Sequence, residues 1–105
     1  MATTPESKVK ASVVKLLKKY EVYYFFPATH GMGRSGVPDI ICCIKSLFLA
    51  IECKAGRGQV TALQARELRR IGDAGGCTFI INEDNQAMLD AFLQEMTVPT
   101  KVQNV

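Results

Sequence analysis

The chain has 105 residues, of which 48% are hydrophobic and 22% are charged, and its formal net charge is +3. This length predicts one domain with a hydrophobic core, and the mildly basic charge permits a nucleic-acid partner without requiring one. No apolar run approaches the ~18–20 residues of a membrane span, and the amino terminus lacks the organisation of a signal peptide. We therefore expect a cytoplasmic protein.

The first predicted element is a helix. Thr4 is a typical N-cap, Pro5 suits the first helical position, and Glu6 places an acid in the first turn. Apolar residues then recur on one helical face as far as Tyr20. Residues 22–27 are aromatic and β-branched, which predicts a strand.

A loop and a hairpin follow in the chain. Residues 28–37 contain three glycines and predict the loop. Residues 39–44 and 47–54 then predict antiparallel strands that turn at Lys45-Ser46. Both strands are apolar on their two alternating faces, so we expect these two strands to be covered on both sides.

The second half of the chain predicts a helix, a strand and a closing helix. In the first of these helices Leu63, Leu68 and Ile71 are expected to face inward and the arginines largely outward. The predicted elements are a loop at 55–59, a helix from 61 to about 74, a strand at 77–81, a helix at 84–96 and a loose tail at 97–105. The order α-β-β-β-α-β-α predicts an α/β fold with a mixed sheet between helices, as one domain over residues 1–105 with its core at about 5–96.

The four cysteines match no zinc-binding or redox spacing. Cys42 and Cys43 are adjacent, whereas Cys53 and Cys77 lie far apart in the chain. All four fall in apolar, strand-like segments. We expect buried, reduced thiols.

The hairpin gathers two carboxylates and a lysine. If Ile44 pairs with Leu47, counting back along both strands places Asp39 opposite Glu52, and Lys54 projects from the same face. Two such carboxylates repel each other unless a cation lies between them. The pattern predicts a site for Mg²⁺ or Mn²⁺ held by these acids, with a buried Glu52–Lys54 ion pair as the alternative.

These residues resemble a known nuclease superfamily. The element order, with Pro38-Asp39, Glu52-Cys53-Lys54 and Gln64 in these places, is similar to that of the PD-(D/E)XK nucleases. Within that superfamily, the segments 36–39, 52–54 and 61–64 resemble the VRR-NUC family, the virus-type replication-repair nucleases. The resemblance covers about residues 5–81. It implies a restriction-endonuclease-like α-β-β-β-α-β core.

The resemblance also implies an activity and partners. It implies metal-dependent hydrolysis of phosphodiester bonds in DNA, by a homodimer that acts on branched structures such as Holliday junctions, in a bacterial or phage setting. A symmetric dimer would place one active site on each of two strands. Two alternatives remain: a non-catalytic DNA-binding or assembly subunit that keeps the fold, and a nuclease for RNA or plain DNA ends.

Each residue of the predicted site has an expected role, and Glu6 and Gln64 each have two possible roles. Lys54 is expected to orient the attacking water and stabilise the transition state, since an ordinary lysine is a poor base at neutral pH. The Cys53 backbone carbonyl is a further expected metal ligand. Glu6 either complements the helix dipole or, as the resemblance suggests, contacts metal or water. Gln64 either closes a capping box with Thr61 or makes an active-site contact.

Basic and glycine-rich residues surround the predicted site. They either form a solvated face or bind phosphate, and the expected DNA contacts are Arg34, Ser35, Arg57, Arg66, Arg69 and Arg70. Gly31, Gly33 and Gly36 would provide loop flexibility or a close approach to the DNA backbone. His30 would be incidental or contact phosphate or metal.

Overall fold

The computed structural model describes residues 3–28 and 34–98, and it contains the elements in the predicted order. These are α1 (Pro5–Lys19), β1 (Tyr23–Phe25), β2 (Ile40–Ile44), β3 (Leu47–Cys53), α2 (Ala62–Asp73), β4 (Cys77–Ile81) and α3 (Gln86–Thr97). None of the described helices is long and apolar enough to cross a bilayer.

The four strands form one mixed sheet in the order β1-β2-β3-β4. β1 pairs with β2 and β2 with β3 in antiparallel orientation, whereas β3 and β4 are parallel. Helix α2 makes the crossover connection that a parallel pair requires. The predicted α/β fold with a mixed sheet is confirmed.

The hairpin between β2 and β3 has the predicted register. Lys45 and Ser46 both have positive φ angles, 50° and 69°, as a two-residue type I′ turn requires. Ile44 pairs with Leu47, and the ladder continues pair by pair to the start of β2. One further step along the same register places Asp39 opposite Glu52.

Helices α1 and α3 cover one face of the sheet. Thr4 caps α1 as predicted, and its side chain accepts a hydrogen bond from the Ser7 N–H. Tyr20 donates a hydrogen bond to Asp90 and so links the end of α1 to α3. The core residues without measurable exposure include Val13, Leu17, Ile40, Leu49, Ile51, Ile81, Leu89 and Leu93.

The opposite face is covered only in part. Helix α2 packs against β4 and buries Leu68. The carboxyl half of β3 is buried on both sides, as predicted. At the amino end of β3 the prediction is wrong, because Phe48 is 48% exposed, and Tyr23 on the edge strand β1 is 68% exposed on the same face. One helix placed over β4 does not reach across a four-stranded sheet.

Several details differ from the expectations. Leu63, expected inside, is 45% exposed, and its backbone lies against Gly36. Cys42 and Cys53 are buried, but Cys43 is exposed on the open face of β2. The closing helix runs through Thr97. The rest of the predicted tail, from residue 99, lies outside the described residues.

Candidate metal centre

Three carboxylates meet where β2 begins and β3 ends. Glu6, Asp39 and Glu52 each contribute one oxygen, and these atoms lie within 4.8 Å of one another. Glu6 is exposed, Asp39 half-buried and Glu52 buried, so the cluster runs from the surface into the sheet. We call these three residues the carboxylate cluster.

Glu52 is the most constrained member of the carboxylate cluster. It is 1% exposed, and neither of its carboxylate oxygens has a hydrogen-bond partner. Burial, followed by repulsion from Asp39, raises the pKa of Glu52 to about 7, although Lys54 opposes the shift. An unpartnered buried carboxylate is costly, which indicates that the site is shaped for a ligand.

Asp39 is held in place by the backbone of the neighbouring strand. Its Oδ2 accepts a hydrogen bond from the Cys53 N–H at 2.8 Å. The Cys53 side chain is buried, and burial raises the pKa of its thiol to about 12, so it stays protonated. The expected role of the Cys53 carbonyl as a metal ligand stays a prediction.

Lys54 forms an ion pair with Glu52 but does not satisfy it. The Lys54 Nζ lies 3.6 Å from Glu52 Oε2, beyond hydrogen-bond distance, and the lysine side chain is 12% exposed. The alternative of a simple buried ion pair therefore accounts for one charge, whereas the carboxylate cluster holds three acids. Lys54 therefore leaves the carboxylate cluster with an excess of negative charge that a bound cation would neutralise.

An open cavity leads to the carboxylate cluster from the start of α1. It has a volume of about 460 Å³ and is lined by Thr4, Glu6, Ser7, Lys10, Asp39 and Cys53. Glu6 lines this cavity and is exposed to solvent. Lys10, one helical turn after Glu6, was not predicted as a site residue. The sequence signal for Lys10 was its position four residues after Glu6, which places the two side chains next to each other on the helix.

The donor atoms of the carboxylate cluster fit a hard divalent cation. Mg²⁺ and Ca²⁺ bind oxygen ligands, and Mg²⁺ sites in proteins commonly use one or two carboxylates and keep several waters. Asp39 and Glu6 offer such ligands at the wall of the open cavity, and Glu52 adds two unpartnered oxygens from the buried side of the cluster.

The first turn of α2 holds the loop before Asp39. Gly36 has a φ of 81°, and a Cβ there would lie 2.6 Å from the Leu63 carbonyl carbon. Thr61 and Gln64 form the capping box in full, since the Thr61 N–H donates to Gln64 Oε1 at 2.9 Å. Because the cap uses Oε1, only the Nε2 of Gln64 is available for the active-site contact, which stays a prediction.

The predicted DNA-binding residues fall into separate groups. Ser35, Arg57, Arg66 and Arg69 are exposed, as a phosphate contact requires. Arg34 and Arg70 are also exposed and line a cavity of about 560 Å³. That cavity shares no lining residue with the one at the carboxylate cluster. His30, Gly31 and Gly33 lie outside the described residues.

Glu67 is a buried acid that the sequence analysis missed. It is 6% exposed, and its Oε1 lies 3.3 Å from the Arg34 Nε. The pair therefore ties the segment before Asp39 to α2, in addition to the contact at Gly36. The available signal was its place directly before Leu68 and one turn before Ile71, two residues expected on the inward face of α2.

Comparisons with known proteins support the fold. No protein-family model and no curated protein matches the sequence. A solved structure described as a "VRR_NUC domain protein" matches with a TM-score of 0.70 and 17% sequence identity, over 100% of both chains. The chain has the VRR-NUC fold.

Proposed function

We propose that this protein is a metal-dependent nuclease that hydrolyses phosphodiester bonds in DNA. The observation that carries the proposal is the pair of unpartnered, buried Glu52 oxygens beside two further carboxylates. The fold shared with a VRR_NUC domain protein supports a nuclease-type hydrolase.

The acids would act as ligands of Mg²⁺ or Mn²⁺. Asp39 and Glu52 would bind the cation from the neighbouring strands β2 and β3. Glu6 would complete the ligand set from α1, and the Cys53 carbonyl is a further candidate ligand. When bound, the cation would polarise a phosphate oxygen and lower the pKa of a water molecule. Glu52 would give up its proton on binding, because the cation needs the carboxylate form.

Lys54 would act beside the acids as a fixed positive charge. Its ammonium group is held at 3.6 Å from Glu52 in a largely dry environment. A positioned cation in such surroundings stabilises the negative charge that develops on phosphorus, and it can orient a water molecule by donating a hydrogen bond. We assign Lys54 these two roles and Gln64 Nε2 a supporting polar contact.

The proposed substrate is branched DNA, such as a four-way junction, and the proposed active form is a homodimer. Two identical sites related by a two-fold axis would cut two strands symmetrically. The exposed arginines of α2 and of the loop after Lys54, Arg57 included, would bind the phosphate backbone. Met88, 49% exposed on α3, marks the proposed face for a second copy.

The decisive experiment is cleavage of labelled four-way junction, duplex and single-stranded DNA with Mg²⁺, Mn²⁺ or EDTA. We expect cleavage with either metal, none with EDTA, and a preference for the junction. Binding to DNA without cleavage of any substrate would instead support a non-catalytic subunit. Cleavage of RNA or of plain ends in preference to junctions would refute the branched substrate and keep the metal centre.

A further inference from the structure

Three aromatic side chains lie exposed together on the open face of the sheet. Tyr23 is 68%, Phe25 46% and Phe48 48% exposed. The register places Tyr23 and Phe48 on either side of Cys43 in one row, and Phe25 in the next row on the same face. Strand geometry separates Tyr23 from Phe25 by about 7 Å and from Phe48 by about 10 Å. We call these three residues the aromatic surface.

Cationic side chains lie on both sides of the aromatic surface. Arg34 and Arg70 line the cavity of about 560 Å³ that Phe48 also lines. On the other side, Lys45 shares a cavity of about 350 Å³ with Tyr23. Acids are also present, but Glu67 in the first cavity is buried and paired with Arg34, and the second cavity contains the exposed Glu21. Without the Arg34–Glu67 pair, two cations, Arg70 and Lys45, remain beside one acid, Glu21.

The aromatic surface lies on the same face of the sheet as the acids of the proposed metal site. Phe48, Ala50 and Glu52 alternate along β3 on this face, so Phe48 and Glu52 are about 13 Å apart along the strand. Ala50 between them is buried, so a chain bound to the aromatic surface lies near the proposed metal site but does not run along β3 to reach it.

We propose that the aromatic surface binds single-stranded DNA, with bases stacked on Tyr23, Phe25 and Phe48 and the phosphates held by neighbouring cations. Aromatic side chains beside a basic groove are the usual means of holding single strands without reading their sequence. The inference rests on the proposed DNA substrate and adds an unpaired stretch as the part recognised next to the cut.

A second copy of the chain is the competing occupant. The exposed parts of three such side chains amount to roughly 300–400 Å², from the ~150–250 Å² that each aromatic side chain offers. A stable interface buries about 800 Å² on each partner. The three rings alone therefore supply no more than half of such an interface, and a dimer would need further contacts around them, whereas two or three stacked bases need no more than the rings.

Binding of labelled oligodeoxythymidylate in EDTA tests the proposal without cleavage. We expect Tyr23→Ala and Phe48→Ala each to weaken this binding about tenfold and to change duplex binding by less than about twofold. Phe26→Ala removes a ring that is 48% exposed but lies against Tyr24 and Lys10 of α1, and it should change neither. An abasic oligomer of equal charge should bind the parent and Phe48→Ala alike. Unchanged oligodeoxythymidylate affinity in both alanine variants would overturn the proposal.

A tryptophan at the aromatic surface gives a second, direct readout. The chain has no tryptophan, so Phe48→Trp introduces a lone reporter that stays able to stack. We expect its fluorescence to be quenched as oligodeoxythymidylate saturates the protein, and no quenching would contradict stacking. If Tyr23→Ala converts a dimer to a monomer in light scattering, the surface joins two copies and the proposal fails. A protein that binds in this way but never cleaves would refute only the nuclease.

Discussion

The two ends of strand β3 present opposite kinds of unfavourable surface. At the carboxyl end, Glu52 is a buried charge whose oxygens have no hydrogen-bond partners. At the amino end, Phe48 is an apolar ring that is 48% exposed to water. Each arrangement costs free energy in the isolated protein, since charge is disfavoured inside and large apolar area is disfavoured outside.

The difference indicates two different ligands on one strand. A bound cation neutralises a buried set of acids, whereas an exposed row of aromatic rings is covered by a flat, partly apolar group that stacks on it. Between them, Ala50 is small and has no measurable exposure, so the strand itself contributes ordinary core packing there. If either end of β3 has only a structural role, substitutions there will change stability but neither cleavage nor binding.

Glu52→Gln should reduce cleavage by about a thousandfold or more, because it removes a metal ligand while keeping the side-chain shape. Lys54→Ala should cost about a hundredfold through the loss of transition-state stabilisation. Single-turnover cleavage rates at saturating Mg²⁺ or Mn²⁺ measure both effects.

The control for these variants is Asp90→Asn. Asp90 is a half-buried acid on α3, bonded to Tyr20 and remote from the carboxylate cluster in the fold. Its variant should cleave at the parent rate. A Glu52→Gln protein that cuts normally would mean that the buried acid is structural and would remove the difference between the two ends of β3.

Gly36→Ala should destabilise the protein by about 3–4 kcal/mol and reduce activity. Alanine would have to adopt the positive φ of Gly36, and its methyl group would lie 2.6 Å from the Leu63 backbone. Each of these two effects costs about 1–3 kcal/mol. Gly75→Ala is the matched control, because Gly75 also has a positive φ but nothing lies within 4 Å of its Cβ position. Urea unfolding of both variants measures the difference, and equal losses would show that the contact with α2 has no cost.

The pH dependence of stability reports the charge at Glu52 directly. Its pKa rises from 4.5 to about 7 on folding, so the folded state binds the proton more tightly than the unfolded state does. Stability in EDTA should therefore be fully retained below about pH 4.5 and fall by on the order of 3 kcal/mol as the pH rises to about 8. Mg²⁺ should offset the loss at the higher pH.

Unfolding of the parent and Glu52→Gln at about pH 5 and pH 8 isolates this contribution. The variant lacks the titrating group, so its stability should vary less with pH, and Mg²⁺ should stabilise it less. Parallel pH profiles for the two proteins would contradict the raised pKa of Glu52.

The sequence predicted the acidic end of β3 better than its aromatic end. A two-residue turn and strict alternation suffice to place Asp39 opposite Glu52, because register then follows from counting. The exposure of Tyr23 and Phe48 was not predictable in this way. An apolar residue on a strand looks the same whether or not a helix covers it, and the position of α2 over β4 depends on tertiary packing. Glu67 was missed for a related reason, since its partner Arg34 is distant in the sequence.

Ser46→Gly should stabilise the protein by about 0.5–1 kcal/mol. Ser46 has a φ of 69° in the turn that sets the hairpin register, and glycine adopts this conformation with less strain, although it gains freedom in the unfolded chain. Thermal unfolding measures the gain in stability. Ser35→Gly is the control, because Ser35 is also exposed but does not have a positive φ. The positions of Glu52 and Phe48 both depend on the hairpin register. Glycine keeps the turn and therefore the register, so cleavage should be unchanged. A loss of activity in Ser46→Gly would mean that the turn itself takes part in binding, and the two ends of β3 would then not be independent.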